Sequence, residues 1–436
     1  MVTRLTPRVM HRDIPLDSRP DTQARPHIPL ELVDIILDYL HDDKPTLAAC
    51  SLVSRDWRPS TRYHLFQALH IGGDAIVGGY DNFLRFLDAS PSIRPYIRSL
   101  HVSGTWKSNI AKGERCLVGP YVLVSLLDTL TALTTLTLDG VVWAGAARRN
   151  LQGLWPVKWP PIPRKFDTLV LSRIESYDRG PSQYTKSVFQ ILHTFGSLQK
   201  LAITDIHFDA MSWNNIARLE TPTSLALRTF SMLGVSTSQA FINGLRRTQS
   251  VQSLTSLDLQ CNSISDAHSF GTLIRDAGAN LESLDVDLSR LTRHVATSSV
   301  SDTMRSLNIT YCTALTRLHL RVCIHPEWAA PADLRSGWSY VSSTLPSIPS
   351  SIQVVAITLS PPAEVHEDAD EVGFDHFFRH LLKTNWDPIA LALERCQGLK
   401  EVRFDLKSNA TTKRQFKEVV IKNLPVMDAL GVLQFA

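Results

Sequence analysis

Long hydrophobic runs are missing from this chain. No uninterrupted apolar stretch in its 436 residues approaches the roughly eighteen that a membrane helix needs, so no membrane span is expected. Charge of one sign is not in excess either. Lys and Arg number 45 against 42 Asp and Glu, a formal +3, too small a surplus to point to nucleic acid or a membrane surface. The first two dozen residues alternate Arg, Asp, Pro and Thr without an apolar stretch. They do not read as a secretory signal, and residues 1–25 are expected to form a disordered leader. Paired cysteines are also missing. The six, at 50, 116, 261, 312, 323 and 396, are scattered and beside apolar residues, which reads as free thiols in a reducing compartment, cytosol or nucleus. No CxxC spacing supports a zinc site.

Catalytic signatures are equally scarce. The chain has no GxSxG, no phosphate-binding P-loop and no kinase set. Gly72-Gly73 and Gly78-Gly79 do not form GxGxxG. His376 and His380 stand at i, i+4, but no Glu completes an HExxH and no third ligand is identifiable. They read as the polar stripe of a helix that buries Phe374, Phe377, Phe378 and Leu381. Neither enzymatic activity nor a cofactor is expected.

What is present is ordinary for a folded protein, 44% apolar and 20% charged, and it is periodic. An apolar triad spaced L-x-x-L-x-L recurs as Ile97/Leu100/Val102, Leu133/Leu136/Leu138, Phe166/Leu169/Leu171 and Leu198/Leu201/Ile203. It continues as Leu227/Phe230/Met232, Leu254/Leu257/Leu259 and Leu281/Leu284/Val286. The last three are Leu315/Leu318/Leu320, Ile352/Val355/Ile357 and Leu399/Val402/Phe404. Successive triads start 27 to 47 residues apart. The last two apolar positions alternate as in a strand. Helical runs precede most triads, for example Phe83-Leu87, Val122-Leu127, Val188-Leu192, Phe241-Leu245 and Ile389-Leu393. Met304, Leu307 and Ile309 fall too close to Leu315 to be another strand and read as that unit's helix.

The rhythm resembles leucine-rich repeats. That resemblance implies an α/β fold: a solenoid over residues 67–436 with a parallel sheet on the concave face and helices outside. In detail the repeats are degenerate. Asn262 and Cys323 occupy the usual Asn/Cys position, whereas Val141, Ile174, Ser289 and Lys407 stand there in other units. Three loops break the period. Trp155–Lys165 carries Pro160-x-x-Pro163 and reads as a rigid loop anchored by Trp155 and Trp159. Ser342–Ser351 reads as an exposed Ser/Pro connector, and residues 361–371 as a solvated acidic insertion.

Ahead of the repeats lies Ile28–Phe66, IPLELVDIILDYLHDDKPTLAACSLVSRDWRPSTRYHLF. Pro29, Pro45 and Pro59 each precede a helix-compatible run, where a missing N–H does least harm. Leu32, Val33, Ile36, Leu37 and Leu40 share one helical face. Three short helices make a unit too small to bury its own apolar surface well, so it is expected to dock on something. Pro29, the aliphatics of the first run, Leu52-Val53-Ser54-Arg55-Asp56-Trp57-Arg58 and the closing Leu65-Phe66 resemble an F-box, placed over residues 26–66. The resemblance implies docking on a Skp-type adaptor, and through it on a cullin scaffold, with Pro29, Leu32, Ile36, Leu52, Val53 and Trp57 as contacts. It also implies that the repeats capture a protein substrate for a ubiquitin ligase, with chemistry done elsewhere. The alternative is a repeat-built interaction scaffold that does not work through a ubiquitin ligase.

In an L-x-x-L-x-L strand, the residues flanking the second and third apolar positions face away from the core. The strand at Leu254 then presents Ser256, Asp258 and Gln260, the next Ser283, Asp285 and Asp287, and that at Leu315 Arg317, His319 and Arg321. Asp258, Asp285, Asp287, Arg317, His319 and Arg321 are therefore the candidate substrate-binding residues, with Asp258 expected to be exposed and nearly neutral to replace.

Overall fold

The computed structural model describes residues 28–72, 79–104, 117–145, 164–177, 183–208, 220–291, 300–323, 338–360, 378 and 381–436. The leader, Cys116, most of the Trp155–Lys165 loop, the acidic stretch 361–371, and His376 and His380 lie outside the described residues. The chain divides into two compact units, Met1–Phe66 and Gln67–Ala436.

The first unit contains three short helices, α1 (Leu30–Tyr39), α2 (Lys44–Val53) and α3 (Arg58–Phe66). Each proline sits where the helix needs no N–H from it. Pro29 is the N-cap of α1, and its carbonyl accepts from the Leu32 and Val33 amides at 3.1 and 3.2 Å. Pro45 and Pro59 fall in the first turns of α2 and α3. Asp43 caps α2, accepting from the Thr46 amide at 3.1 Å and the Thr46 hydroxyl at 2.6 Å. Those two bonds hold its carboxyl below the usual carboxylate range. The core is Val33, Leu37 and Leu47, with Leu40, Cys50, Trp57 and Leu65 packed around it. Two polar links tie α1 to α3: Ser60 Oγ donates to Asp34 at 2.5 Å, and His64 Nε2 lies 3.0 Å from Asp38.

The second unit is α/β, built on one large parallel sheet. Its strands are β1 (Ala68–Ile71), β2 (Ser99–Ser103), β4 (Thr135–Asp139), β6 (Arg164–Ser172), β8 (Phe195–Thr204), β9 (Ala226–Leu233), β10 (Ser256–Gln260), β11 (Ser283–Asp287), β12 (Arg317–Cys323), β13 (Val354–Ser360), β14 (Glu401–Leu406) and β15 (Leu433–Phe435). These twelve strands follow one another across the sheet in chain order. A second parallel sheet of three short strands, β3 (Leu117–Val118), β5 (Val142–Trp143) and β7 (Glu175–Ser176), accompanies the early turns of the chain. The predicted helical runs lie in α4 (Gly79–Ala89), α5 (Pro120–Thr129), α6 (Gln183–Leu192), Gln239–Leu245 and Asp387–Glu394. Met304 lies in the helix Val300–Ser306, followed by a 3-10 turn Ile309–Tyr311.

Register explains why the triads matter. The second apolar positions align as Leu100, Leu136, Leu169, Leu201 and Phe230, then Leu257, Leu284, Leu318, Val355 and Val402. The third positions form a parallel column from Val102 to Phe404, and the first positions complete the set. Every residue of the ten triads is buried except Leu399. A one-residue slip of any strand would turn its whole apolar set to solvent, so burial itself selects the register.

In four units an aliphatic holds the asparagine position, and the backbone does asparagine's work. Gly140, Arg173, Asp205 and Gly234 follow aligned strand ends and share positive φ of 62°, 49°, 52° and 65°. At the first three, the amide donates to the end of the next strand, at Ser172, Thr204 and Leu233. The following residues, Val141, Ile174, Ile206 and Val235, are buried. Asn262 uses its side chain instead, donating its amide to the Val235 carbonyl.

Two expectations need correction. Ser342–Ser351 is not an exposed connector: it holds the end of a helix, Trp338–Thr344, and a 3-10 turn, Leu345–Ser347. Leu345 and Ile348 are buried there, as are Thr344 and, just before the segment, Val341; the three aliphatics are spaced three to four apart, which the serines and prolines conceal. Asp258 is only half-exposed, for the reason given below.

Of the helix glycines, Gly271 sits at the tightest approach to a neighbouring helix. A Cβ on Gly271 would lie 1.7 Å from the Ser306 carbonyl oxygen, whereas one on Gly398 meets only Gln353 Cγ at 3.7 Å. Gly271→Ala must displace backbone and should lower the melting temperature markedly, a loss in the range of about 1–3 kcal/mol for overpacking. Gly398→Ala should change little, and thermal unfolding of the two variants compares them directly.

Candidate functional site

Two surfaces stand out, one in each unit. In the first unit, α1 is apolar on two sides. Val33 and Leu37 point inward, but Leu32 and Ile36 are 52% and 49% exposed, and Tyr39 is exposed beside them. On α2, Leu52 and Val53 are 82% and 67% exposed. Pro29 is exposed as well. Trp57 is different: it is half-buried and packs on Val33, Leu37 and Leu47. The apolar positions that seemed to share one helical face thus divide between an internal core and an outward strip. Leu32 and Ile36, one turn apart, share the outward side of α1.

In the second unit, the sheet face opposite the apolar columns carries all six charged candidates, on three neighbouring strands. Register aligns Asp258 with Asp285 and His319, and Asp287 with Arg321. All but Arg317 are cross-linked rather than free. Arg321 donates from Nε to Asp285 at 2.9 Å and from Nη2 to Asp258 at 2.5 Å. His319 bridges Asp285, 2.8 Å from Nδ1, and Thr358, 2.9 Å from Nε2. Ser231 donates to the other oxygen of Asp258 at 3.0 Å. The chain of contacts therefore spans five strands, β9 to β13. Partial burial works against the charged form of Arg321, yet Asp285, Asp258 and Asp287 outweigh it and raise its pKa. Asp287 is nearly enclosed, accepting from Gln260 Nε2 and the Ser289 amide, each at 2.8 Å. Arg317 alone is fully exposed.

A second polar cluster at the other end of the same face was not singled out from the sequence. His70 and His101 are register partners on β1 and β2, with rings stacked 4.5 Å apart. His70 Nε2 is 2.8 Å from Ser103 Oγ. Arg173 donates from Nε to Asp139 at 2.9 Å and pairs with its other oxygen through Nη2. Burial works to raise the Asp139 carboxyl, but the bonds from Arg173 and Ser172 and the guanidinium charge hold it below the usual range. Burial, then the charge of His70, push His101 down. The only signal for this cluster was position: each of these residues but Arg173 flanks a triad apolar residue or its β1 equivalent.

Among the described residues, no group of three or more His, Cys, Asp or Glu is placed to hold a metal ion. No described helix is long and apolar enough to cross a membrane. Cys50, Cys261, Cys312, Cys323 and Cys396 are free thiols. Burial pushes Cys312 up to about 12 and raises Cys261 and Cys396. No protein-family model matches the chain, and no curated protein matches it.

Two outcomes are expected. Arg321→Ala removes the guanidinium that two carboxylates share, leaving Asp258 only Ser231 and Asp285 only His319, and should cost about 1–3 kcal/mol, toward the low end because the cluster is partly solvated. Arg317→Ala should stay within about 0.5 kcal/mol. Chemical denaturation of the two variants separates the roles. His101 carries a pH dependence. Its folded pKa is depressed, so its contribution is complete above the unfolded value of about 6.5 and is lost as pH falls through the folded value. Wild-type protein should therefore lose more melting temperature between neutral and mildly acidic pH than His101→Gln; equal losses would contradict the assignment.

Proposed function

We propose that this chain is the substrate-recognition subunit of an SCF-type ubiquitin ligase. The three-helix unit acts as an F-box and docks on a Skp-type adaptor, which links it to a cullin scaffold. The repeat unit is a degenerate leucine-rich solenoid whose sheet face holds a protein substrate. The protein supplies proximity, and ubiquitin transfer is done by the enzyme the ligase recruits.

The observation that carries the reading is the double-sided α1. Val33, Leu37 and Leu47 already satisfy the unit's core, so Leu32, Ile36, Leu52 and Val53 have no internal role that accounts for them. Exposing them costs solubility without improving the fold, and a partner with an apolar groove removes that cost. Pro29 stands at the start of this strip and sets where α1 begins. Trp57 acts from inside, holding α2 and α3 in place beneath it. On the sheet, the alternation of apolar and polar positions over twelve strands in chain order supports a repeat architecture. Arg317 and the edges of the Asp258–Arg321–Asp285–His319 cluster then face the substrate, with Asp287 as internal support.

The test is co-purification. Leu32→Ala/Ile36→Ala should lose the Skp-type adaptor, because buried interface anchors typically cost about 2 kcal/mol or more each when truncated. The melting temperature should hardly change, since neither side chain is in the core. Wild-type recovery of adaptor by the folded double variant would defeat the proposal.

A further inference from the structure

The polar face of the sheet contains three rows of side chains that differ in how far their polar groups are satisfied. In the two rows nearer the strand ends, carboxylates are repeatedly bonded to neighbouring side chains: Asp258 and Asp285 to Arg321, Asp287 to Gln260, Asp139 to Arg173, and Asp405 to Lys407. The third row, one residue before the second apolar column, is different. Register places Lys200, Thr229, Ser256, Ser283 and Arg317 side by side on β8, β9, β10, β11 and β12. All five are half-exposed or exposed, and none of their side chains pairs with another described residue. On the β1 side, Ser99, Thr135 and Thr168 continue the row on β2, β4 and β6. Eight successive strands therefore offer six hydroxyls and two cations, with no carboxylate and no aliphatic in the row, until Val354 and Glu401 end it.

The geometry points to this row as the contact line for an extended acidic segment of a protein partner. The inference rests on the receptor half of the reading above and specifies what that receptor takes. Lys200 and Arg317 are four strands apart, about 19 Å at the usual spacing of roughly 4.8 Å. An extended chain advances about 3.3–3.6 Å per residue. Two acidic side chains five to six residues apart would reach both cations, and the backbone between them would lie over Thr229, Ser256 and Ser283, whose hydroxyls can donate to its carbonyls. The carboxylates of the neighbouring rows do not compete, because Arg321, His319 and Gln260 already occupy them. Two cations over such a length are too few for a nucleic-acid backbone, which presents a phosphate every few ångströms.

Full-length protein is titrated with fluorescent Gly/Ser peptides that carry two glutamates at a series of separations, and binding is read by anisotropy at low and high salt. Affinity should peak at a separation near six residues, weaken with salt, and fall by about tenfold in Lys200→Gln and in Arg317→Gln. Arg403→Gln, a cation of the next row that lies 3.8 Å from Glu401, should bind like wild type. The inference is overturned by undetectable binding, by no preference for separation, by unchanged affinity in both variants, or by tighter binding of lysine-bearing peptides or of a single-stranded oligonucleotide. Capture of a Skp-type adaptor is scored on the same preparation. Peptide binding without adaptor capture upholds this inference and removes the ligase reading, and adaptor capture without peptide binding does the reverse.

Discussion

The whole second unit depends on in-register stacking of apolar columns. Each strand is too short, and each helix too small, to bury its own apolar surface, so a strand such as Leu257-Asp258-Leu259 has no stable structure by itself. Placed between Phe230-Ser231-Met232 and Leu284-Asp285-Val286, its two leucines become fully enclosed and its backbone groups are paired on both sides. The same alternation that drives one face inward must leave the other face polar. Close approach of successive helices completes the arrangement, and Gly271 marks where it is tightest.

The polar face then has to manage charges brought within one strand spacing of each other. Three acids on β10 and β11 would repel, and the sequence answers with Arg321 and His319 on β12. The result is a cluster that stiffens the sheet more than it advertises charge. Arg317, one row away, is left for other uses. In the first unit the logic runs the other way. Its internal core is complete with a few side chains, and the surplus apolar residues of α1 and α2 are turned outward.

Much of this was legible in the chain. Repeating L-x-x-L-x-L marks both the strands and their register, since a fixed spacing within each unit aligns equivalent residues across units. The three prolines located the three helices of the first unit for the same local reason. What could not be read was tertiary. Leu32 and Val33 are equally apolar, and nothing in their spacing says that one faces out and the other in. Trp57 belongs to a core that only the packed helices define. Asp258 looked free because its partner, Arg321, lies 63 residues ahead. His101 and His70 were passed over because two isolated histidines carry no pattern until β1 and β2 pair. Ser342–Ser351 misled because Ser and Pro dominate its composition while Val341, Leu345 and Ile348 decide its burial.

The proposed F-box role requires that the outward apolar residues of α1 and α2 dock a Skp-type adaptor. Hydrogen exchange of the full chain with and without purified adaptor tests it most directly. The account predicts slowed exchange confined to Leu30–Tyr39 and the segment from Leu52 through Trp57, with exchange in Gln67–Ala436 unchanged. Exchange unaltered over α1 and α2, or protection appearing only in the sheet, would contradict it.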